Sequence, residues 1–190
     1  MKNKELYNKL LEKGVLKVWL TEMEFLAPEQ MEYRKNLWID TLSIEDMTVF
    51  AVDGYGDLYA WRPDDSVVII ETGPGECKEF AGSLIDAIFR RIIEFVNGDY
   101  CEMCSNEEKA DMDPDDAEYC TSENDAIELL KQYINVFGEF FSVEQKEYIE
   151  KLIVNGFLPD CNAFIYEDEM LRVILDWLRV KITAPKKIFK

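Results

Sequence analysis

The chain has 190 residues, of which 48% are hydrophobic and 13% aromatic, enough to bury a substantial core and to exclude disorder of the whole chain. It carries 39 acidic and 21 basic side chains, a net charge of −18, and a field of that sign repels nucleic acid and anionic lipid but attracts a basic partner. Histidine is absent, which excludes Ser-His-Asp and Cys-His catalysis and every His-ligated metal site.

The N-terminus and the cysteines bear on the compartment. No apolar run approaches the ~18–20 residues that a membrane span requires, and Lys2 and Lys4 are not followed by the apolar stretch of a secretory signal. We therefore expect a cytoplasmic protein with no membrane partner. Five cysteines are present, and an odd number in a chain without a signal argues against a disulfide framework.

The first part of the chain predicts helices. Residues 3–13 repeat leucines at helical spacing and are followed by Gly14, which predicts a helix with a natural stop. Residues 15–20 form a short apolar run that fits either a strand or more helix. Pro28 suits a first helical turn and predicts a second short helix that ends at Trp38.

A cluster of strands follows. Three β-branched and aromatic runs predict strands at Thr48–Val52, Leu58–Trp61 and Val67–Glu71. The gaps between them are short and rich in turn residues, which predicts two hairpins and hence an antiparallel meander. In the first gap, residues 53–57 (DGYGD), glycine permits positive φ and aspartate can accept hydrogen bonds from nearby backbone N–H groups.

The sequence after the meander predicts one long helix and one solvated loop. A turn at residues 72–75 leads to apolar residues at helical spacing over Glu79–Asn97, and Gly98 closes that helix. Residues 102–125 then hold ten acidic side chains against one lysine, a net charge of −9. Pro114 lies among them and breaks any helix there, so we predict a solvated acidic loop.

Three further helices are predicted in the last third of the chain. Apolar spacing places them at Asn124–Phe141, Ser142–Asn155 and Asp168–Val180, and the second opens on a capping-box pattern. Residues 157–165 are a connection. A basic tail follows, formed by Lys181, Lys186, Lys187 and Lys190.

Strands segregated from helices, with short reversals between the strands, predict an α+β fold. We expect a small, mainly antiparallel sheet packed by helices in residues 1–100. An acidic loop at residues 101–123 and a helical extension at residues 124–190 would follow. The extension would pack on the core, which gives a single domain overall.

Four cysteines raise the question of a metal or redox site: Cys101, Cys104, Cys120 and Cys161. Four thiolates could hold zinc, and the C-x-x-C spacing of the first two also suits a redox pair. The chain has only one such spacing, however, and the surrounding carboxylates raise thiol pKa values and disfavour thiolates. We therefore predict incidental cysteines and no bound metal.

The acidic loop contains a partial calcium motif. Asp111, Asp113 and Asp115 have the alternating spacing of a calcium loop. An EF-hand needs glycine at its sixth position and glutamate at its twelfth, where this chain has Asp116 and Ser122. We predict a flexible acidic loop and no cofactor. Carboxylate pairs of the kind used by glycosidases stay open as a hydrolase alternative, because acids are abundant.

Residues 48–100 resemble a known family. The run TVFAVDGYGDLYAWRPDDSVVIIETGPGECKEFAGSLIDAIFRRIIEFVNGDY looks like the SUKH superfamily. The matching features are an apolar strand, a Gly-Asp pair that opens the next strand, a third apolar strand and a helix. In this chain the pair is Gly56-Asp57 and the third strand is Val67–Ile70. The matching helix carries Phe80, Ser83 and Ile93. The later run LLKQYINVFGEFFSVEQKEYIEKL is similar to the helical extension of some bacterial members. The resemblance covers residues 15–100 and, more loosely, 124–155.

The SUKH superfamily comprises bacterial toxin-immunity proteins and relatives of a fungal regulator of glucan synthesis. The resemblance implies a non-enzymatic protein that binds a cognate toxin, often a nuclease, and blocks it by occlusion. A net charge of −18 suits a basic toxin domain as the partner. Two alternatives stay open: a regulatory or scaffold protein of the same fold, and a hydrolase. The acidity by itself is also explained by a role in solubility.

The predicted recognition surface combines aromatic side chains, which usually carry binding energy, with carboxylates, which steer association. Its members are Asp53, Tyr55, Asp57 and Trp61 on the sheet side, and Asp111, Asp113, Asp115 and Asp116 in the acidic loop. For Tyr55 and Trp61, packing in the core or at a sheet edge is the alternative interpretation.

Overall fold

A six-stranded antiparallel sheet with helices around it forms the frame of the protein. The computed structural model describes residues 2–99, 101–178 and 184–190, and within those ranges it contains eight α-helices. The helices are α1 (Asn3–Glu12), α2 (Pro28–Asn36), α3 (Leu84–Asn97), α4 (Asn106–Asp111), α5 (Pro114–Ala117), α6 (Glu123–Phe137), α7 (Val143–Asn155) and α8 (Glu167–Trp177). The strands are β1 (Glu24–Phe25), β2 (Thr48–Val52), β3 (Leu58–Trp61), β4 (Val67–Glu71), β5 (Glu76–Ala81), β6 (Met103–Cys104), β7 (Thr121–Ser122) and β8 (Lys186–Lys187). The predicted α+β fold class is confirmed.

The centre of the sheet follows the prediction. The strand order is β1-β2-β3-β4-β5-β8 and each neighbouring pair is antiparallel. Strands β2, β3 and β4 have the predicted bounds. Their reversals fall in the two predicted turns, where residues 53–57 supply glycine and aspartate and residues 62–66 supply proline and aspartate. The meander is therefore confirmed.

The prediction of a helix from Glu79 is wrong at its start. Residues 76–81 form β5, which pairs with β4, and the helix begins only at Leu84. Gly75 has a φ of +64°, which permits the reversal between the two strands. The Ser83 hydroxyl then accepts a hydrogen bond from the backbone N–H of Asp86 at 3.3 Å and caps α3.

Two very short strands close the sheet at its edges. Strand β1 pairs with β2, and β8, within the predicted basic tail, pairs with β5. The apolar run at residues 15–20, left open between strand and helix, contains a single 3-10 turn at Val15–Lys17. Because each edge strand has only two residues, neither shows an alternating pattern that sequence could reveal.

Both faces of the sheet are covered. On one face, α3 packs its apolar stripe together with side chains from α1, α6, α7 and α8 in one continuous cluster. The Phe25 and Phe137 rings, 6.2 Å apart, join the first half of the chain to the helical extension. On the other face, a smaller cluster includes Leu42, Ile44 and Val68, all fully buried. The sheet is thus the middle layer between two apolar layers.

The helices of the second half begin within one residue of the predicted positions, but α6 ends at Phe137, four residues before the predicted Phe141. The predicted capping box is confirmed, because the Ser142 hydroxyl accepts from Gln145 N at 3.1 Å and the Gln145 side chain accepts from Ser142 N at 3.0 Å. Val180, the predicted end of the last helix, and Lys181 lie outside the described residues. Among the described helices, none has both the length and the apolar character needed to cross a membrane.

A buried ionic cluster ties α3 to the sheet. Arg91 and Glu94 are each only 5% exposed, and Glu94 contacts Arg91 Nη1 at 2.6 Å and Arg90 Nε at 2.8 Å. The Arg91 guanidinium also donates to the Tyr59 hydroxyl on β3 and lies 4.9 Å from the centre of the Phe80 ring. Burial raises the pKa of Tyr59 above its ordinary value, so its hydroxyl stays protonated.

Candidate protein-binding surface

The turn between β2 and β3 is built by its own aspartate. Asp53 Oδ1 accepts hydrogen bonds from the backbone N–H groups of Tyr55 and Asp57, both at 2.9 Å. Gly56 has a φ of +88°, as expected for a turn glycine. The prediction that residues 53–57 connect two strands is confirmed. The turn presents Tyr55 at its tip, with 88% of the residue exposed.

Asp57 joins this turn to the next one in the sheet. Its Oδ1 accepts from Thr72 N at 2.8 Å and from the Thr72 hydroxyl at 3.2 Å. Thr72 directly follows β4, so the β2–β3 and β4–β5 turns are held together at one end of the sheet. Asp57 therefore has a structural role, because it stabilises the turn that carries Asp53 and Tyr55.

The segment before β1 brings further apolar side chains to the same place. Glu22 Oε2 accepts from Gly54 N at 3.4 Å, which links this segment to the β2–β3 turn. Leu16 and Trp19 are 47% and 50% exposed. Together with Glu22, Glu24 and Asp53 they line an open cleft of about 490 Å³. We name Leu16, Trp19, Glu22, Asp53 and Tyr55 the Trp19–Tyr55 surface.

Trp61 does not belong to this surface. Only 7% of it is exposed, and its ring stacks on Phe50 with 5.2 Å between centroids and lies 5.6 Å from Tyr7. All four residues of β3 are buried, because both faces of the sheet are covered. Trp61 therefore packs in the core, which was the alternative interpretation, and it does not belong to the predicted recognition surface.

The acidic segment is folded, contrary to the predicted loop. It forms α4 and α5, and β6 pairs with β7 in parallel at its two ends. Pro114 begins α5 instead of breaking a helix, since proline suits the first helical position. Lys109 contacts Asp125 Oδ2 at 2.8 Å and donates to Cys120 O at 2.6 Å. The predicted site residues of this segment are all exposed: Asp111, Asp113, Asp115 and Asp116.

A disulfide closes the acidic segment, although the sequence argued against a disulfide framework. It joins Cys104 and Cys120, whose Cα atoms are 6.2 Å apart. The pairing arises because Cys104 in β6 and the residue before β7 are brought side by side by the parallel register. Cys101 and Cys161 are free. Within the described ranges, no group of three or more Cys, Asp or Glu side chains lies close enough together to hold a metal ion.

Cys101 lies beside this disulfide but has a thiol of low reactivity. Its Sγ lies 3.1 Å from the Thr121 hydroxyl. Burial raises the pKa of the Cys101 thiol and the neighbouring Glu102 charge raises it further, while the contact with Thr121 opposes both. The expected effect of the acids on thiol pKa is confirmed here, with burial as the larger cause. The thiol form predominates at neutral pH, which disfavours nucleophilic chemistry.

Reduction of the disulfide is expected to loosen the acidic segment and leave the sheet intact. The short strands β6 and β7 have only two residues each, so their pairing depends on the covalent link between them. We expect their amide hydrogens to exchange about tenfold faster or more after reduction with dithiothreitol, whereas amides of β3 keep their protection. Hydrogen exchange followed by mass spectrometry measures both regions, and equal acceleration in both would contradict a local role.

The predicted site residues form two separate groups. Asp53, Tyr55 and Asp57 share one turn, and the acidic segment carries the other four. Among the described residues, no hydrogen bond or ion pair joins the two groups. Leu16 and Trp19 were not predicted, because an apolar run at residues 15–20 that fits either a strand or more helix does not indicate which side chains are exposed. Trp19 is exposed between the buried residues Val18 and Leu20, and because all three are apolar the sequence gives no signal for this exposure.

Comparison of the chain with protein-family models, with curated proteins and with solved structures finds no match. The resemblance to the SUKH superfamily therefore stays a prediction from the sequence. The function must be argued from the surface itself.

Proposed function

We propose that this chain is a non-enzymatic binding protein of the immunity type, which neutralises a basic toxin domain by occlusion. One observation carries the proposal: Tyr55 on the braced turn and Trp19 in the adjoining cleft are exposed aromatic residues with carboxylates next to them. The SUKH resemblance supplies the class of partner. The net charge of −18 supports a partner that is basic.

The surface has the composition of a binding hot spot. Tryptophan and tyrosine carry most of the binding energy at protein interfaces, because they bury a large area at low cost in conformational entropy. Glu22 and Asp53 line the cleft with Trp19, and Asp53 also accepts a hydrogen bond from the backbone of Tyr55. Both carboxylates can pair with lysine or arginine of the partner. Because the turn is fixed by Asp53 and Asp57, little ordering is needed on binding.

The first experiment is capture of the partner from the organism that encodes the chain. Tagged wild type, the Trp19→Ala/Tyr55→Ala double variant and a Tyr33→Ala control are compared at low salt. Tyr33 lies on α2 and is 62% exposed, so it is a second exposed tyrosine away from the proposed surface. We expect one basic protein retained by wild type and control and lost with the double variant. Cells that produce the captured protein must then be protected when they also produce the wild-type chain. Retention of a cell-wall or signalling complex instead would favour the regulatory alternative.

The exposed acids of α4 and α5 are expected to steer association. Reversal of Asp111, Asp113, Asp115 and Asp116 to lysine should lower the association rate constant about tenfold at low salt, since steering depends on local potential. The dissociation rate should hardly change, and the difference should fade as salt screens the charges. Surface plasmon resonance with the captured partner measures both rates.

The matched control for steering reverses four exposed acids elsewhere, Glu12, Glu29, Glu32 and Asp40. Both variants have the same net charge, so only the position of the charges differs. If both sets slow association equally, the overall field steers the partner and the acidic segment has no special part in recognition.

A further inference from the structure

The last residues of the chain lie in a slot between two walls of the fold. On one side, β8 pairs with β5 and Ile188 N donates to Gly75 O at 2.9 Å. On the other side, Ser43 N donates to Ile188 O at 2.8 Å and Lys190 N donates to Thr41 O at 2.9 Å. Ile188 thus uses its N–H on one wall and its carbonyl on the other. An extended strand bonded in this way has the geometry of a peptide bound by β-strand addition.

The slot has an acidic group for each of two lysines. Lys187 Nζ lies 2.9 Å from Glu76 Oε1 and also donates to Pro74 O at 2.9 Å. Lys190 Nζ lies 2.5 Å from Glu45 Oε1 and donates to Ile39 O. The hydrogen bond from Lys190 is the main reason that the pKa of Glu45 lies below its ordinary value. The two walls therefore select positive charge at positions three residues apart.

Between the two lysines the slot accepts apolar side chains. Ile188 packs against the smaller core cluster on that face of the sheet. The Phe189 ring covers Gly75, where an added Cβ atom would lie 2.5 Å from the ring carbons. A glycine at this position therefore leaves room for an aromatic ring. The slot fits the pattern lysine, apolar, aromatic, lysine.

The occupant is held by contacts that can be exchanged. The Lys187 side chain is 65% exposed and Phe189 is 50% exposed, and ion pairs this open to water add little to stability. Backbone hydrogen bonds to the two walls supply most of the affinity, and any extended strand can make them. A competing strand of the same charge pattern can therefore replace the tail.

We propose that this slot is a binding site for an extended basic strand of a protein partner, and that residues 186–190 fill it as an internal substitute. Charge complementarity supports a partner segment of this kind. The tail is basic although the chain has a net charge of −18, so its lysines present to the slot what a basic protein would present. The site lies on the β5 edge and does not depend on the Trp19–Tyr55 surface.

The test uses the full-length protein and a labelled synthetic peptide with the sequence of residues 184–190. In one variant, Ile188→Asp with Lys190→Glu releases the tail without altering either wall. We expect this variant to bind the peptide at least about tenfold more tightly than wild type, whose attached tail competes at high effective concentration. Fluorescence anisotropy gives both affinities. The control peptide carries glutamate at the positions of Lys187 and Lys190.

A second measurement ties binding to the slot. The Ser43 amide, which donates to the tail, should lose its hydrogen-exchange protection in the released variant and regain it with peptide. Adding Glu45→Lys and Glu76→Lys to the released variant should abolish peptide binding. Absence of peptide binding to a released variant with wild-type near-ultraviolet circular dichroism overturns the proposal. A wild-type dimer that the released variant cannot form would overturn it too, since the slot would then take the tail of a second copy.

Discussion

The Tyr55→Ala variant is expected to bind the captured partner at least 30-fold more weakly, a loss of about 2 kcal/mol or more, while its free energy of unfolding stays unchanged. Tyr55 is 88% exposed, so the folded protein gains almost nothing from burying its ring. A partner that covers the ring would gain that area in full. Isothermal titration calorimetry measures the affinity, and urea denaturation measures the stability.

Two other exposed tyrosines serve as controls for Tyr55. Tyr33 on α2 is 62% exposed, and Tyr119 in the acidic segment is 76% exposed. Alanine at Tyr33 should leave the affinity unchanged, because α2 carries none of the Trp19–Tyr55 surface. If alanine at Tyr119 weakens binding as strongly as alanine at Tyr55, the partner also covers the acidic segment. Unchanged affinity of Tyr55→Ala would remove the turn from the interface.

The Trp19→Ala variant tests the proposed surface less directly than the Tyr55→Ala variant. Its ring packs edge-on against Phe95 with 5.8 Å between centroids, so it has a packing partner in the folded protein. Alanine at Trp19 therefore lowers both the stability and the affinity for the partner. This is why Tyr55 provides the sharper test of the surface.

The middle of the sheet was predictable because its signals are local. β2, β3 and β4 are runs of β-branched and aromatic residues separated by turn residues, and each hairpin closes over a few residues. The start of α7 was predictable for the same reason, because Ser142 and Gln145 bond each other within one turn. Local chemistry of this kind needs no knowledge of the rest of the chain.

The missed elements depend on contacts between distant parts of the chain. β5 has the polar sequence ECKEFA and becomes a strand only because β4 offers it an edge. β8 pairs with β5 across more than half of the chain. The Cys104–Cys120 disulfide forms because a short parallel pairing brings both ends of the acidic segment together. Intrinsic propensity does not report on such pairings.

Three aromatic residues show how far sequence can predict which side chains are exposed. The exposure of Tyr55 was predictable because a turn between two strands lies at the surface. Trp61 was misplaced because strand composition does not tell whether one or both faces of a sheet are covered. Trp19 was not predicted, because its apolar neighbours do not distinguish it from a buried residue, although it is 50% exposed.

The Glu94→Ala variant is expected to lose roughly 3–5 kcal/mol of its free energy of unfolding. Glu94 is 5% exposed and is the carboxylate that both Arg90 and Arg91 contact. Arg91 is buried to the same extent, and removal of the Glu94 carboxylate takes away attraction that offsets the cost of moving the guanidinium out of water. Since domains have only ~5–15 kcal/mol of stability, this is a large part of the total.

Urea denaturation measures this loss, and Glu150→Ala provides the matched control. Glu150 also pairs with a basic residue on its own helix, Lys146 at 3.8 Å, but its side chain is 52% exposed, so the loss there should stay below about 0.5 kcal/mol. Similar losses in both variants would show that burial does not govern the Glu94 cluster. The cluster also supports the proposed surface, because Glu94 is followed directly by Phe95, on which Trp19 packs. Partner binding by Glu94→Ala should therefore weaken even at temperatures where the variant remains folded.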